Sequence, residues 1–345
     1  MRKLATIRKI QEIKAIEGAD KICAYRVDGW WVVDTINRYN VGDLAVYCEI
    51  DSWIPTELAP FLSKGKEPRV FEDIKGERLR TVKLRGQLSQ GLLLPLTLLE
   101  QFDLTDSGDT VHPQNLVEGD DLTELLGIIK WERPMNAQLA GMAKGNFPSF
   151  IPKTDQERVQ NLRKEIESAA EKGLEFEVTE KLEGSSMTCY LHDGVFGVCS
   201  RNLDLKETED NAFWAQARKD DIEAKMRRFG NSGFAIQGEL IGPGIQDNIY
   251  KLSSTKFYVF DVFDTNSGEY LKPAARRLFI ESMGLNHVPV LNEHYALHHT
   301  IEDLLTCAEG GSKLGKTERE GIVFKQAAGG MTFKAISNKY LIKSE

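Results

Sequence analysis

The chain has 345 residues, 41% of them hydrophobic and 28% charged, with a formal net charge of -8. Taking roughly 100–200 residues per domain, that length supports two domains; the acidic total excludes a general nucleic-acid coat while leaving room for a local basic groove, and no stretch approaches the ~18 uninterrupted apolar residues of a membrane span. Cys23, Cys48, Cys189, Cys199 and Cys307 are odd in number and show no CxxC spacing, so they read as reduced thiols of a cytoplasmic or otherwise intracellular protein.

The opening MRKLATIRKI is charged and lacks the apolar core of a signal peptide. YRVDGWWVVDTI sets a DG turn between two β-rich arms, a hairpin signal. VGDLAVYCEIDSWIP is strand-like and stops at a proline, and RLRTVKLRGQLSQGLLLPL alternates through Arg85 before breaking at Gly86 and Gly91. Many short strands with glycine breaks predict a small OB-like β-barrel over residues 1–125. Residues 126–165 contain Pro134, Pro148 and Pro152 and little periodicity; they predict a linker and the start of a connecting helix. TDQERVQNLRKEIESAAEKG reads as that helix, capped by Thr154 or Asp155 and ended by Gly173.

Residues 166–345 alternate strands and helices, an α+β pattern. EFEVT is a strand, SSMTCYLHDGVFGVCSRN a hairpin, and NAFWAQARKDDIEAKMRRFG a helix ending at Gly230. FAIQGELIG and STKFYVFDVFD are strands, PAARRLFIESMG and TIEDLLTCAEGG helices, and EGIVFK and MTFKAIS the last two strands. His294 and His298 have helical metal-ligand spacing, with His299 adjacent, but no third ligand accompanies them; a surface loop is the expected reading.

One stretch stands out. EKLEGSS (180–186) puts Lys181 between carboxylates, at a strand end before a Gly-Ser turn. Alone it is either a solvated strand end or a nucleophile. It is followed in order by SRN (200–202), GELIGPG (238–244), FYVFD (257–261), EGIVFK (320–325) and FK (333–334). A lysine that attacks phosphorus must be neutral, whereas a free lysine has a pKa near 10.4. Desolvation and neighbouring cations lower that value, and Lys325, Lys334 and a bound metal are the expected sources. Glu183 and Glu320 are hard oxygen ligands suited to Mg²⁺ or Mn²⁺, largely through waters. Each residue also has an ordinary reading: Glu180 and Glu183 as exposed strand carboxylates, Arg201 as a partner of Asp204, and Lys325 and Lys334 as a solvated face. Phe257 and Phe260 fall on opposite sides of a regular strand, so at least one is core.

In this order and spacing the motifs resemble the covalent nucleotidyltransferase superfamily of polynucleotide ligases and capping enzymes. The resemblance implies a domain of ATP-grasp-like antiparallel sheets with helices, with Lys181 forming a covalent lysyl-AMP from ATP. It places Phe260 on the adenine, with Phe257 and Tyr258 as open alternatives, Glu180 at the adenine amino edge and Glu239 at the ribose. Arg201, Lys325 and Lys334 fall to the nucleotide as well, Arg201 and Lys334 at its phosphate. The front segments LATIRKIQEIKAIEGADKI, VGDLAVYCEIDSWIP and RLRTVKLRGQLSQGLLLPL resemble the leading domain of the fifth family of polynucleotide RNA ligases. That implies a monomer sealing 3′-OH/5′-phosphate nicks in duplex RNA or RNA–DNA hybrids. The short run after Lys334 leaves no room for the trailing OB domain of DNA ligases. One departure is Ile336, where many relatives carry a second lysine; Lys334 then acts alone or borrows Lys339.

Arg78, Arg80, Lys83 and Arg85 are a candidate RNA grip, or else a charged barrel edge. Trp30, Trp31 and Trp53 are base-stacking candidates or barrel core. Three functions compete: an RNA ligase, a DNA ligase or capping-type guanylyltransferase, and a non-catalytic RNA-binding module.

Overall fold

Alternating apolar residues need a partner sheet to bury one face, and the front of the chain supplies it by folding back on itself. The computed structural model describes residues 2–100, 105–106, 109–110, 112–133, 141–230, 233–297 and 300–344. Two compact units are present, residues 1–134 with 342–345 and residues 135–341.

In the first unit Ala5–Lys9 and Leu92–Pro95 flank Leu44–Cys48, and Glu12–Ala15 and Trp30–Thr35 flank Ile22–Val27, all antiparallel. Val27 faces Trp30 across the predicted turn, with Asp28 left-handed at φ 49°, the geometry of a two-residue primed hairpin. Ile7, Val46, Cys48, Ile54, Leu94 and Leu122 fill the core. Trp30 and Trp53 are buried, whereas Trp31 is half-buried beside Lys14 and Arg26. The basic run is not one continuous strand. Ile74–Arg78 ends where Leu79 turns inward, and a separate hairpin, Thr81–Leu84 with Gln87–Gln90, follows. Arg78 pairs with Asp51 at 2.6 Å and stacks on Trp131 at 3.9 Å, while Lys83 and Arg85 stand exposed at the hairpin tip.

The second unit contains two sheets. One has eight strands, with Ser185–His192, Phe234–Ile241 and Lys256–Asp264 adjacent at its centre. The other runs Glu157–Arg158, Thr332–Ile336, Gly321–Gln326, Glu175–Lys181, Val290–Ala296. Helices Ala212–Lys219, Ile222–Arg227 and Pro273–Ser282 bring Trp214, Met226 and Ile280 into one core with Met187, Ile236 and Phe257. Arg163–Glu171 and Ile301–Ala308 bring Ile166 and Leu304 against Phe176, Phe324 and Phe333.

Three expectations change here. The helix read from Thr154 starts only at Arg163, because Glu157–Arg158 pairs in parallel with Phe333 and Lys334. The long helix expected over 211–230 is two helices, broken at Asp221, left-handed at φ 53°, and the second ends at Arg227, three residues short of Gly230. His294 lies on the strand Val290–Ala296, 3.4 Å from Glu175; His298 and His299 lie outside the described residues. Within the expected linker 126–165, Ile129–Lys130 pairs with Ser52 and Trp53 of the first unit, and Ala143–Asn146 with Leu203–Leu205 of the second. Among the described residues no helix is long and apolar enough to cross a membrane.

Candidate active site

Strand register decides which side chains can meet, because residues directly opposite share a sheet face. Lys181 faces Gly321, Thr179 faces Val323, and Glu177 faces Lys325. Val323 in turn faces Lys334, which faces Arg158. One face therefore carries Glu177, Lys181, Lys325, Lys334 and Arg158, while Phe176, Val178, Phe324 and Phe333 pack into the core behind it.

Lys181 ends its strand, and the chain turns through Leu182–Gly184 into Ser185–His192 of the other sheet. A Cβ on Gly184 would lie 2.4 Å from the Leu240 carbonyl oxygen, so only glycine lets the turn pass this close. The Glu183 N–H donates to Tyr250 Oη at 2.7 Å, fixing the turn from a second side.

The amine meets carboxylates. Lys181 Nζ donates to Glu320 Oε1 at 2.7 Å, and its side chain keeps 27% exposure. Burial favours the neutral amine, but the charges of Glu320 and Glu239 outweigh it and raise the pKa. Burial, with the charge of Glu320, pushes the Glu239 carboxyl up to about 8 even though Lys181 pulls the other way. Glu183 is raised as well, by burial and then by Glu320. Its Oε2 is buried without a hydrogen-bond partner, and so is Oε1 of Glu180, whose other oxygen accepts the Lys313 N–H at 2.8 Å. Close by, Lys334 and Arg201 converge on Asp155 at 3.3 Å and 3.5 Å.

A family model for RNA ligase matches residues 174–341, and one for an OB-fold domain matches residues 4–96. No curated protein matches. Among solved structures, a variant of Naegleria gruberi RNA ligase with AMP and Mn is 45% identical, covers 99% of each chain and superposes with a TM-score of 0.90. This chain belongs to the RNA ligase family. Two further structures of the Naegleria gruberi enzyme agree, each covering 99% of both chains: a variant with ATP and Mn at 44% identity and TM-score 0.88, and the enzyme with PPi at 45% and 0.89. The front barrel is thus an OB fold and the rear unit an RNA ligase domain, as the motifs implied.

Within the ligase, Glu183, Glu239 and Glu320 gather about Lys181. Neither Lys325 nor Lys334 acidifies Lys181: burial and the charge of Arg158 lower its pKa, but Glu320 and Glu239 outweigh them. Lys325 is engaged elsewhere: its ammonium donates to the Asp261 carboxylate and, at 2.8 Å, to the Phe260 carbonyl. Arg201 pairs with Asp155 and not with Asp204, which takes the Tyr190 hydroxyl and Lys144. Phe257 is core, 1% exposed, whereas Tyr258 and Phe260 are half-buried in an apolar cluster with Leu182, Tyr250 and Leu314. Ile336 is buried, and Lys339, an exposed side chain, pairs with Glu309 at 2.8 Å. Arg158 was missed; buried opposite Lys334, it acts electrostatically on Lys181. Its signal in sequence is slight, a lone arginine in ERVQN read as helix.

Proposed function

We infer that this ATP-dependent RNA ligase seals breaks between a 3′-OH and a 5′-phosphate held in nicked RNA duplexes or RNA–DNA hybrids, through lysyl-AMP at Lys181. The observation that carries the reading is the Lys181 amine on Glu320, on the sheet face it shares with Lys334 and Arg158, with Arg201 meeting Lys334 at Asp155. Glu180 Oε1, buried without a donor, suits the 6-amino group of adenine and repels the keto oxygen of guanine, which supports ATP over GTP. Phe260 stacks on the base, Glu239 takes a ribose hydroxyl, and Arg201, Lys334 and Arg158 take phosphate oxygens.

Glu183 and Glu320 would hold the Mg²⁺ or Mn²⁺. Their mutual repulsion and the partnerless oxygen of Glu183 fit a cation between them. Among the described residues no group of three or more His, Cys, Asp or Glu side chains is placed to hold a metal ion, so waters or substrate oxygens would have to supply the remaining ligands. Such an ion offsets triphosphate charge and stabilises the departing pyrophosphate.

In the first step Lys181 loses its proton to solvent, its nitrogen bonds to the α-phosphorus, and the bond from that phosphorus to pyrophosphate breaks. In the second an oxygen of the RNA 5′-phosphate attacks the same phosphorus, forming an anhydride as the phosphoramide bond breaks. In the third the 3′-OH, losing its proton, attacks the 5′-phosphate and AMP leaves. Positioning and electrostatics do most of this work. Lys83 and Arg85 at the OB hairpin tip, with Arg78 and Arg80 behind them, hold RNA phosphates without reading sequence. The ligase works as a monomer inside the cell, where ATP is available.

Intact mass spectrometry after incubation with ATP and Mg²⁺ or Mn²⁺ tests the reading. Wild type gains one AMP, Lys181→Ala gains none, and GTP gives no adduct. Nicks with RNA on the 3′-OH side are then sealed, since the 2′-OH distinguishes the strands. Equal sealing of an all-DNA nick refutes the RNA assignment.

A further inference from the structure

Lys325 was expected at the nucleotide, as a cation near Lys181, yet it sits far down the sheet face from the nucleophile. Gly321 lies opposite Lys181, and Lys325 is four residues further along, about 13 Å at 3.3 Å per residue. There it enters a sealed network. Lys325, Asp261, Glu177 and Arg276 are all less than 7% exposed. Arg276 and Arg277 both bond Glu177, Arg276 lies 3.6 Å from Asp261, and its Nε donates to His287 Nε2 at 3.2 Å. The His287 Nδ1–H donates to the Val288 carbonyl, so the ring is neutral; burial and then Arg276 hold its pKa down to about 4.

The network ends at a backbone irregularity. Across the strand pair Gln237 faces Asp261 while Gly238 faces Val259, so Phe260 is an extra residue, a β-bulge. A bulge leaves a residue outside the ladder and re-aims its side chain. Lys325 caps the carbonyl of this residue at 2.8 Å and lies 5.6 Å from its ring centroid. Glu177 and Lys325 belong to one sheet, Asp261 and Phe260 to the other, so the network also ties the two sheets together behind the base pocket.

We propose that Lys325, held by Asp261 and Arg276, is a positioning residue that pins the Phe260 bulge and so sets the ring against the adenine, without binding phosphate. This rests on Phe260 being the adenine-stacking residue of the proposed function. Single removal of either charge strands its partner in the interior, so the test uses the charge-balanced double variant Asp261→Asn/Lys325→Met in the full chain. Adenylylation of Lys181 is followed as a function of ATP, with inorganic tripolyphosphate as competitor. Expected is a rise in KM for ATP of about tenfold, the scale of one lost stacking contact, with the rate at saturation nearly kept and tripolyphosphate inhibition unchanged. Phe260→Ala gives the same pattern, and adding it to the double variant causes little further loss. Equal weakening of ATP and tripolyphosphate makes Lys325 a phosphate ligand and overturns the proposal, as does an unchanged KM. Should the double variant not fold, Lys325→Arg, which keeps the charge but not the geometry, serves the same comparison through the same ATP-selective loss. A wild-type protein that takes no AMP refutes the function itself, whereas a labelled wild type with an unselective variant refutes only this inference.

Discussion

Two clusters of charge gather at Lys181 and Lys325 of one sheet face, and they have opposite characters. At the Lys181 end the amine, Glu183, Glu239 and Glu320 keep partial exposure, and carboxylates outnumber the one cation among them. At the Lys325 end Glu177 and Asp261 are matched by Lys325 and Arg276 in the dry interior. Balanced and sealed, the second cluster is a strut. Unbalanced and open, the first waits for a cationic ligand and a polyphosphate. Residue type does not separate the two, since both are made of Lys and acids; solvent access and charge balance do.

Substitutions test this contrast. Lys181→Ala should lose adenylylation by about 10³-fold or more, as nucleophile deletions do, with the thermal midpoint kept near wild type. Loss of the fold instead would make Lys181 a strut too. Next is Glu320→Gln, expected to lower the rate by about 100-fold. Because Glu320 raises the Lys181 pKa, the alkaline rise of the residual single-turnover rate should move to lower pH. In the sealed cluster Arg276→Met should destabilise by about 3 kcal/mol, because Glu177 then keeps only the partly exposed Arg277 and Asp261 only Lys325, read by denaturant unfolding; a loss under about 1 kcal/mol would deny the strut.

Glu239→Gln gives a smaller, pH-dependent effect. A carboxyl raised in the fold to about 8 contributes stability below its unfolded pKa, near 4.5, and loses it as pH climbs through 8. The variant should therefore melt higher than wild type above pH 8 and show a flatter profile between. Smallest is the double change Lys83→Ala/Arg85→Ala, expected to weaken RNA binding uniformly and reduce the salt slope by about 1–2. An unchanged slope would leave the hairpin a charged edge only.

Much of this was legible in sequence. Hairpin turns, glycine stops and the ordered motifs gave the OB barrel, the mixed rear domain and the residues nearest Lys181. What escaped was set by pairing between distant segments. Arg158 becomes a site residue only because two residues join Thr332–Ile336 in parallel, and a helical pattern nearby hid that pairing. Lys325 looked identical to Lys334 as a strand lysine; register puts one at Asp155 beside Arg201 and the other under a bulge. The reversed pKa direction at Lys181 follows from Glu320 and then Glu239, both distant in sequence; Glu320 precedes the strand that pairs with Glu175–Lys181, and Glu239 lies on the strand that pairs with Ser185–His192 after the Gly184 turn.

The ammonium on Glu320 also gives the resting protein a kind of latency. A cation has no lone pair to offer, so general acylating and aldehyde reagents should find this side chain sluggish compared with freely solvated lysines. Covalent inhibitors aimed at it will need a group that competes with the Glu320 carboxylate for the amine.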